Sequence, residues 1–540
     1  MSNLSARELG NVLLSNNSEK RTDKTPAKDF SSEGVTDDKV TYIHFDPGES
    51  PRDWPEWKKW LLLVPIYLVD LSVSWGASGY SPAQMKFAKD LGVSSEVGTL
   101  GLSTYVGGLA LGPMIQAPVS EYFGRSVVYI GGYGIYLLWI LGTALSPNLG
   151  AFLAFRFLGG AFSSVTIATL GGTVADLFPP RQTGYAMSIY IWAATCGSPS
   201  GYFLFSFVAA TRGWRDVFWA MLGISGGLWL IMTLVMLWCG ESRHDVLLAR
   251  KVSNQKKRID CEPGMPSHSG RIDVPPGYER SGVRQLLQVT MTRPFRFLAT
   301  EPIVIFASFF NGYLYGLVYM FNTAISQVFE GSHGFGTISI GLVFLGLVVG
   351  ISCGPLINLF GESFYQKRYN QKGQPVPEAR VMLAIFASIA QPMALFWFAW
   401  TSFPSVHFIV PVIASALWGW AFYALIMASY QYVVDSYGTF SASALAGVGL
   451  IRNLAGAGFP LFARQMYSKL GYEWASSLLA FLSLALIPIT FVLWYKGPWL
   501  RHHSKFAESI DAMHWPGGAE GRTANGGQDG DESKGLQQAV

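Results

Sequence analysis

About twelve apolar runs, each close to the length that crosses a bilayer, constrain this chain more than any other feature. They fall approximately at residues 60–80, 98–117, 127–145, 152–174, 186–210 and 217–239, then 303–329, 338–360, 381–400, 408–434, 442–462 and 474–495. A helical span needs about 20 predominantly apolar residues, and a helix in lipid satisfies its own backbone groups. A closed barrel would show alternating segments of roughly ten residues instead, and the sequence has no such pattern. Only 14% of the 540 residues are charged, against roughly 25% in a soluble domain. The expected fold class is therefore all-α, a polytopic membrane protein with twelve transmembrane helices in two six-helix halves.

The polar segments set the expected boundaries. Residues 1–53 are rich in Ser, Asn, Lys and Asp and are expected to be a disordered cytoplasmic tail. Residues 54–240 make the first six-helix half, entered through Trp54, Trp57 and Trp60 interleaved with Lys58 and Lys59, an interfacial anchor. Residues 241–298 form a linker rich in Lys and Arg, 299–496 the second half, and 497–540 a second disordered tail. The basic excess beside the spans places linker and tails on the cytoplasmic side. The net charge of +4 thus reflects membrane orientation, and nucleic acid is not an expected partner. Cys196, Cys239, Cys261 and Cys353 are scattered, with no metal-ligand spacing. No metal or cofactor is expected.

No Gly-x-x-x-x-Gly-Lys-Ser/Thr loop is present, which excludes an ATP-driven pump made by this chain itself. His-Glu-x-x-His is absent too, so the chain is not expected to be an enzyme. Ionisable residues at membrane depth guide the search better, because an intramembrane charge is expensive and is retained for a task. Asp70 lies in YLVDLSVSWG of the first span and Arg156 in FLAFRFLGGAFSS of the fourth. Desolvation favours a neutral carboxyl and a nearby guanidinium favours the ionised form. Asp70 is therefore expected to carry a proton under tuning by Arg156, the alternative being a permanent packing pair of the two. Between the second and third spans, Glu121, Gly124 and Arg125 form a tight turn with one acid and one base. These two are expected to pair with each other or with nearby helix ends.

Aromatic and amide side chains recur in the central spans. Tyr67, Trp75, Trp192, Asn311, Tyr313, Asn322, Trp420, Gln431 and Arg452 are the expected lining of an apolar cavity with few polar handles, the alternative for the aromatics being ordinary packing.

PVSEYFGR, residues 118–125, resembles the loop between spans two and three of major facilitator superfamily transporters, and LALGP before it is similar to the fungal drug:proton antiporter family with twelve spans. TLGLSTYVGGLALGP, ADLFPP, GWRDVFW, WFAWTSFPSVHFIVP and SASALAGVGLIRNLAGAGFPLFARQMY extend the likeness over most of residues 53–495. The resemblance implies that Glu121, Gly124 and Arg125 act as a conformational latch. It implies that Arg156 with Gly160 matches a stretch associated with proton transfer, and that Arg452 matches a recurrent arginine. Gly197, Pro199 and Gly201 correspond to the kinked antiporter stretch that packs half against half. The implied function is export of hydrophobic drugs, toxins or a secreted metabolite by proton antiport with alternating access. The expected carrier is a monomer in the plasma membrane, with a vacuolar membrane as the second choice. A polyamine or organic-cation carrier, or a non-transporting sensor of the same fold, are the alternatives.

Overall fold

The structure, a computed structural model, describes residues 41–43, 45–46, 48–179, 182–261, 272–273, 283–372, 376–504 and 506–507. The expected tails at residues 1–40 and 508–540, and linker residues 262–271 and 274–282, lie outside the described residues.

Twelve long helical spans run through the described chain. The first six are Glu56–Ser78, Ser95–Phe123, Arg125–Ala144, Leu149–Leu177, Thr183–Thr211 and Trp214–Cys239. The second six are Pro302–His333, Thr337–Lys372, Met382–Trp400, Ile409–Tyr437, Ser441–Leu470 and Tyr472–His502. Ten of these runs are apolar and long enough to cross a membrane by length and composition alone. The other two, Ser95–Phe123 and Thr183–Thr211, are 29 residues each but diluted by Gly, Ser and Tyr. Those residues are there because both helices pack against the opposite set, where small side chains let backbones approach.

Local chemistry explains where the chain turns. Ser94 caps the second span by accepting from the Val97 amide. Gly124, at φ 102° and ψ 162°, ends that span and begins the third. That backbone region is essentially restricted to glycine, and a Cβ there would lie 2.4 Å from the Glu241 carboxylate. The fourth span differs from the expected continuous helix. It is broken at Ser164 into Leu149–Ser163 and Val165–Leu177. Discontinuous helices at such depth are a device of transporter sites.

The polar boundaries also differ from expectation. Residues 45–46 and 48–53 are folded onto the linker: Lys251 holds Asp46 at 2.8 Å and Glu49 at 2.6 Å, and Ser50 meets His244 at 3.2 Å. The linker itself contains helices His244–Cys261 and Val283–Thr300. At the other terminus Phe506 stacks on Phe297, with ring centroids 4.7 Å apart. In each case a polar-looking segment carries enough apolar and charged residues to dock on helix ends, which composition averages away.

The two sets meet along two seams, the fifth span against the eighth and the second against the eleventh. Near the linker face, Ser188 and Tyr423 hydroxyls are 2.6 Å apart. Toward the far face, Tyr202 meets Ser326 at 2.6 Å and stacks on Phe344 at 4.1 Å. Asn453 donates to the Leu109 carbonyl across the other seam at 3.2 Å.

Candidate functional site

Asp70 lies on the first span, 1% exposed, and neither of its carboxylate oxygens has a hydrogen-bond partner among the described residues. Thr166, two residues after the break in the fourth span, is its near neighbour, but its hydroxyl is also unpartnered. The cation within electrostatic reach of Asp70 is Arg452, on the eleventh span of the opposite set. Arg452 is itself buried among Tyr190, Tyr315, Tyr319 and Tyr430. Its guanidinium sits 4.2 Å from the Tyr315 ring centroid, donates to the Tyr430 hydroxyl, and leaves Nε without a partner. A buried acid and a buried base on opposite sets thus act on each other across the seam, each with an unpartnered atom among the described residues.

The expected pairing of Asp70 with Arg156 is not what the structure holds. Arg156 donates to three backbone carbonyls, Gly101 at 2.7 Å, Gly76 at 2.5 Å and Ala77 at 3.5 Å, and lies 4.6 Å from the Tyr105 ring. Gly76 stands six residues beyond Asp70 on the same helix, about 9 Å along its axis. The guanidinium therefore ties the first, second and fourth spans together about one and two-thirds turns away from the acid.

At the Gly124 turn the second expected route is taken, pairing with a nearby helix end. Arg125 does not pair with Glu121. Its Nε meets Asp176 at the end of the fourth span at 3.2 Å, and its amide donates to Glu241 at 2.9 Å. Glu241 also accepts from the amides of Ser126, Ser242 and Arg243, which places its charge at the start of the third span. Arg243 reaches Asp176 at 3.9 Å and Asp245 at 2.7 Å. Glu121 makes no ion pair among the described residues, although its charge acts on Arg243. The reason is rotational. At the end of the second span Glu121 is partly exposed, whereas Arg125 turns inward beneath Gly172, where a Cβ would clash with its guanidinium.

A second copy of this arrangement closes the other set. Arg380, just before the ninth span, meets Asp435 at the end of the tenth at 3.1 Å and also pairs with Glu362. Arg125 with Asp176 and Arg380 with Asp435 occupy corresponding places in the two sets, so the internal repeat survives in the ion pairs.

The stretch Gly197, Pro199 and Gly201 stays within one helix, Thr183–Thr211. Its glycines do not pack half against half. A Cβ at Gly197 would meet Ser74 at 2.3 Å, and one at Gly201 would meet Ser78 at 2.7 Å, so they seat the fifth span on the first. The residues one step round the helix, Ser198 and Tyr202, face the opposite set.

The expected cavity residues divide. Trp192 donates to Ser352 at 3.1 Å and Gln431 to the Gly184 carbonyl at 3.5 Å, both across the seam. Asn322 lines a seam cavity, whereas Trp420 lines a cavity within the second set, with Gln431 and Arg380. The other four pack within one set. Tyr67 donates to the Ala186 carbonyl, Trp75 to Ser200, Asn311 to Ser429, and Tyr313 to the Leu479 carbonyl on the twelfth span.

Comparison with known proteins decides the family. Residues 66–460 match the model of the Major Facilitator Superfamily. The chain belongs to that superfamily. It is 35% identical over 477 residues to the MFS-type efflux pump MFS2 of Trichophyton rubrum, covering 88% of this chain and 78% of that protein. It is 34% identical over 500 residues to the major facilitator-type transporter sorT of Penicillium rubens, covering 90% and 92%. Among solved structures, the proton:xylose symporter XylE aligns with TM-score 0.57 at 13% identity, over 82% of this chain and 96% of that one. The human organic anion transporter MFSD10 aligns with TM-score 0.53 at 16% identity, over 81% and 100%. This superfamily member is accordingly a multi-pass membrane transporter and not an enzyme.

Several site residues escape sequence reasoning in this superfamily member. Glu241, Arg380 and Glu362 were not singled out. A usable signal existed, since Gly-Glu-Ser recurs at the ends of the sixth and eighth spans, residues 240–242 and 361–363. Thr166 and Tyr315 carry no such signal.

Proposed function

We propose that this chain exports hydrophobic small molecules across the plasma membrane, with protons moving inward through Asp70. The observation that carries the reading is Asp70 itself, a fully buried carboxyl beside Thr166 with no well-formed hydrogen bond among the described residues, within electrostatic reach of Arg452 of the other helix set. An intramembrane acid that fulfilled only a packing role would be hydrogen-bonded or permanently paired. The names of the relatives, efflux pumps and multidrug transporters, support export of drugs or toxins as the task.

The chemistry follows from the opposition. When the two halves part, Asp70 exchanges a proton with whichever side it meets. A protonated Asp70 has no claim on Arg452. An ionised Asp70 draws Arg452 across the seam, so proton occupancy biases how the halves sit together. Antiport further requires that cargo and proton disfavour each other on the carrier, a reciprocal coupling. The ion-pair clusters at Arg125 and Arg380 serve as latches on the linker face, made and broken as the halves rock.

Expression in a yeast lacking its own efflux pumps, screened against a broad compound panel with a fluorescent tag, tests the reading. Reduced accumulation of hydrophobic compounds and a plasma-membrane rim are expected. Uptake of polyamines, or no effect on any compound from a correctly localised protein, would replace it with the carrier or sensor alternative.

A further inference from the structure

The linker helix Val283–Thr300 contains three arginines and no acid, and over residues 291–300 it has three distinct sides. One side is buried on the protein: Pro294 and Phe297 are enclosed and Leu298 is half-buried. Leu298 packs on Ala110 and Met114 of the second span and on Leu450 of the eleventh. A Cβ at Gly447 of the eleventh span would lie 3.1 Å from the Pro294 carbonyl. The helix thus touches both helix sets. Met114 and Leu450 lie inside the ends of their spans, so the helix sits at headgroup depth.

The other two sides flank the buried one. On one flank Met291 and Phe295, a turn apart, are 45% and 52% exposed. Exposed apolar side chains resume in the seventh span with Phe306 and Phe309, at 46% and 69%, where bilayer covers them. The apolar edge therefore continues a surface that already belongs to lipid. On the other flank, Arg293 lies 5.6 Å from the Phe440 ring and Arg296 5.4 Å from the Phe506 ring. Neither guanidinium makes an ion pair or donates a hydrogen bond among the described residues. An apolar edge with arginines on the polar side is the build of a helix lying in the membrane interface, and a guanidinium fork matches a phosphate.

We propose that Val283–Thr300 docks on the cytoplasmic leaflet, with Met291 and Phe295 in the acyl boundary and Arg293 and Arg296 held by anionic phospholipid headgroups. The proposal is independent of cargo and proton and uses only the placement of the linker on the cytoplasmic side. Because the same helix touches the second and eleventh spans, lipid charge bears on a contact between the two sets.

The test is amide hydrogen–deuterium exchange of the purified full chain in nanodiscs, read on the peptide covering residues 291–300. One set of discs holds phosphatidylcholine alone, and the other about one-third phosphatidylserine. Exchange is expected to be at least about tenfold slower in the anionic discs. Salt at about 1 M, where the screening length is about 3 Å, should erase that difference in the unaltered protein. Arg293→Gln combined with Arg296→Gln should remove the lipid dependence without changing the melting temperature. Phe295→Ser should speed exchange in both kinds of disc. Equal rates for the unaltered protein in the two discs would overturn the proposal, because the chain itself would then cover the helix. A lipid dependence that survives either high salt or the double substitution would overturn it as well.

Discussion

Asp70 and Arg452 act on each other electrostatically from different helix sets, and among the described residues neither Asp70 oxygen nor Arg452 Nε has a hydrogen-bond partner. Arg156, the cation nearest in sequence expectation, is fully engaged by backbone carbonyls elsewhere. The distinction separates a structural arginine from one placed to respond to the charge on Asp70, and it changes which substitutions should affect coupling.

Arg156→Leu should therefore act on stability. It removes charge-assisted bonds to the Gly76 and Gly101 carbonyls, each worth about 1.5–3 kcal/mol, and leaves those carbonyls buried. Thermal unfolding in detergent should shift down by several degrees. In the protein that remains folded, the dependence of transport on a pH gradient should be unchanged. A normal melting temperature with lost coupling would reverse the assignment.

At the latch, Asp176→Asn should impair transport much more than Glu121→Gln. Asp176 receives both Arg125 and Arg243, whereas Glu121 makes no direct pair. Removing one partner of a buried pair costs about 3–5 kcal/mol. Initial transport rates at matched protein levels decide the order, and a greater loss in Glu121→Gln would contradict the wiring described.

Gly124→Ala and Gly92→Ala make a matched comparison. Both glycines have positive φ, but only Gly124 has a neighbour within reach of a new Cβ, the Glu241 carboxylate. Gly92→Ala should cost about 1–2 kcal/mol from backbone strain alone. Gly124→Ala should cost more, because its φ 102° and ψ 162° suit essentially glycine alone and because Glu241 must also release the amides of Arg125 and Ser126. Melting curves of the two purified variants give the comparison, and equal losses would mean that Glu241 moves aside freely.

The sequence made the spans legible because apolar length is a one-dimensional property. It also made Asp70 and the Gly124 turn legible, since an acid in a span and a glycine between spans stand out in a string. What it left hidden depends on rotation about helix axes. Nothing in the spacing tells Arg125 to choose Asp176, 51 residues away, over Glu121, four residues away. That Arg156 stands apart from Asp70 is equally hidden, because its partners are carbonyl oxygens, which every residue carries. Gly197 and Gly201 were read as a half-to-half seam, yet one step around the same helix separates the face on the first span from the face that carries Ser198.

Paired cysteines test the closure at each end of the seam. Ser188 with Tyr423 and Tyr202 with Ser326 are in contact in one structure through a tyrosine hydroxyl, a longer reach than a disulfide allows, so both cysteine pairs should cross-link with a short, reducible bifunctional thiol reagent. Either cross-link should stop transport, and reduction should restore it. A cross-linked protein that still transports would show that the seam need not open there.

The most direct measurement concerns Asp70 in proteoliposomes with an imposed pH difference. Asp70→Asn fixes an uncharged side chain of the same size at the seam. The unaltered protein should concentrate a transported compound against its gradient when protons are allowed to flow the other way. The Asp70→Asn protein should still bind that compound and exchange it down its gradient, but it should fail to concentrate it under the same pH difference. Concentrative transport by Asp70→Asn at an undiminished rate would contradict the assignment of proton coupling to Asp70.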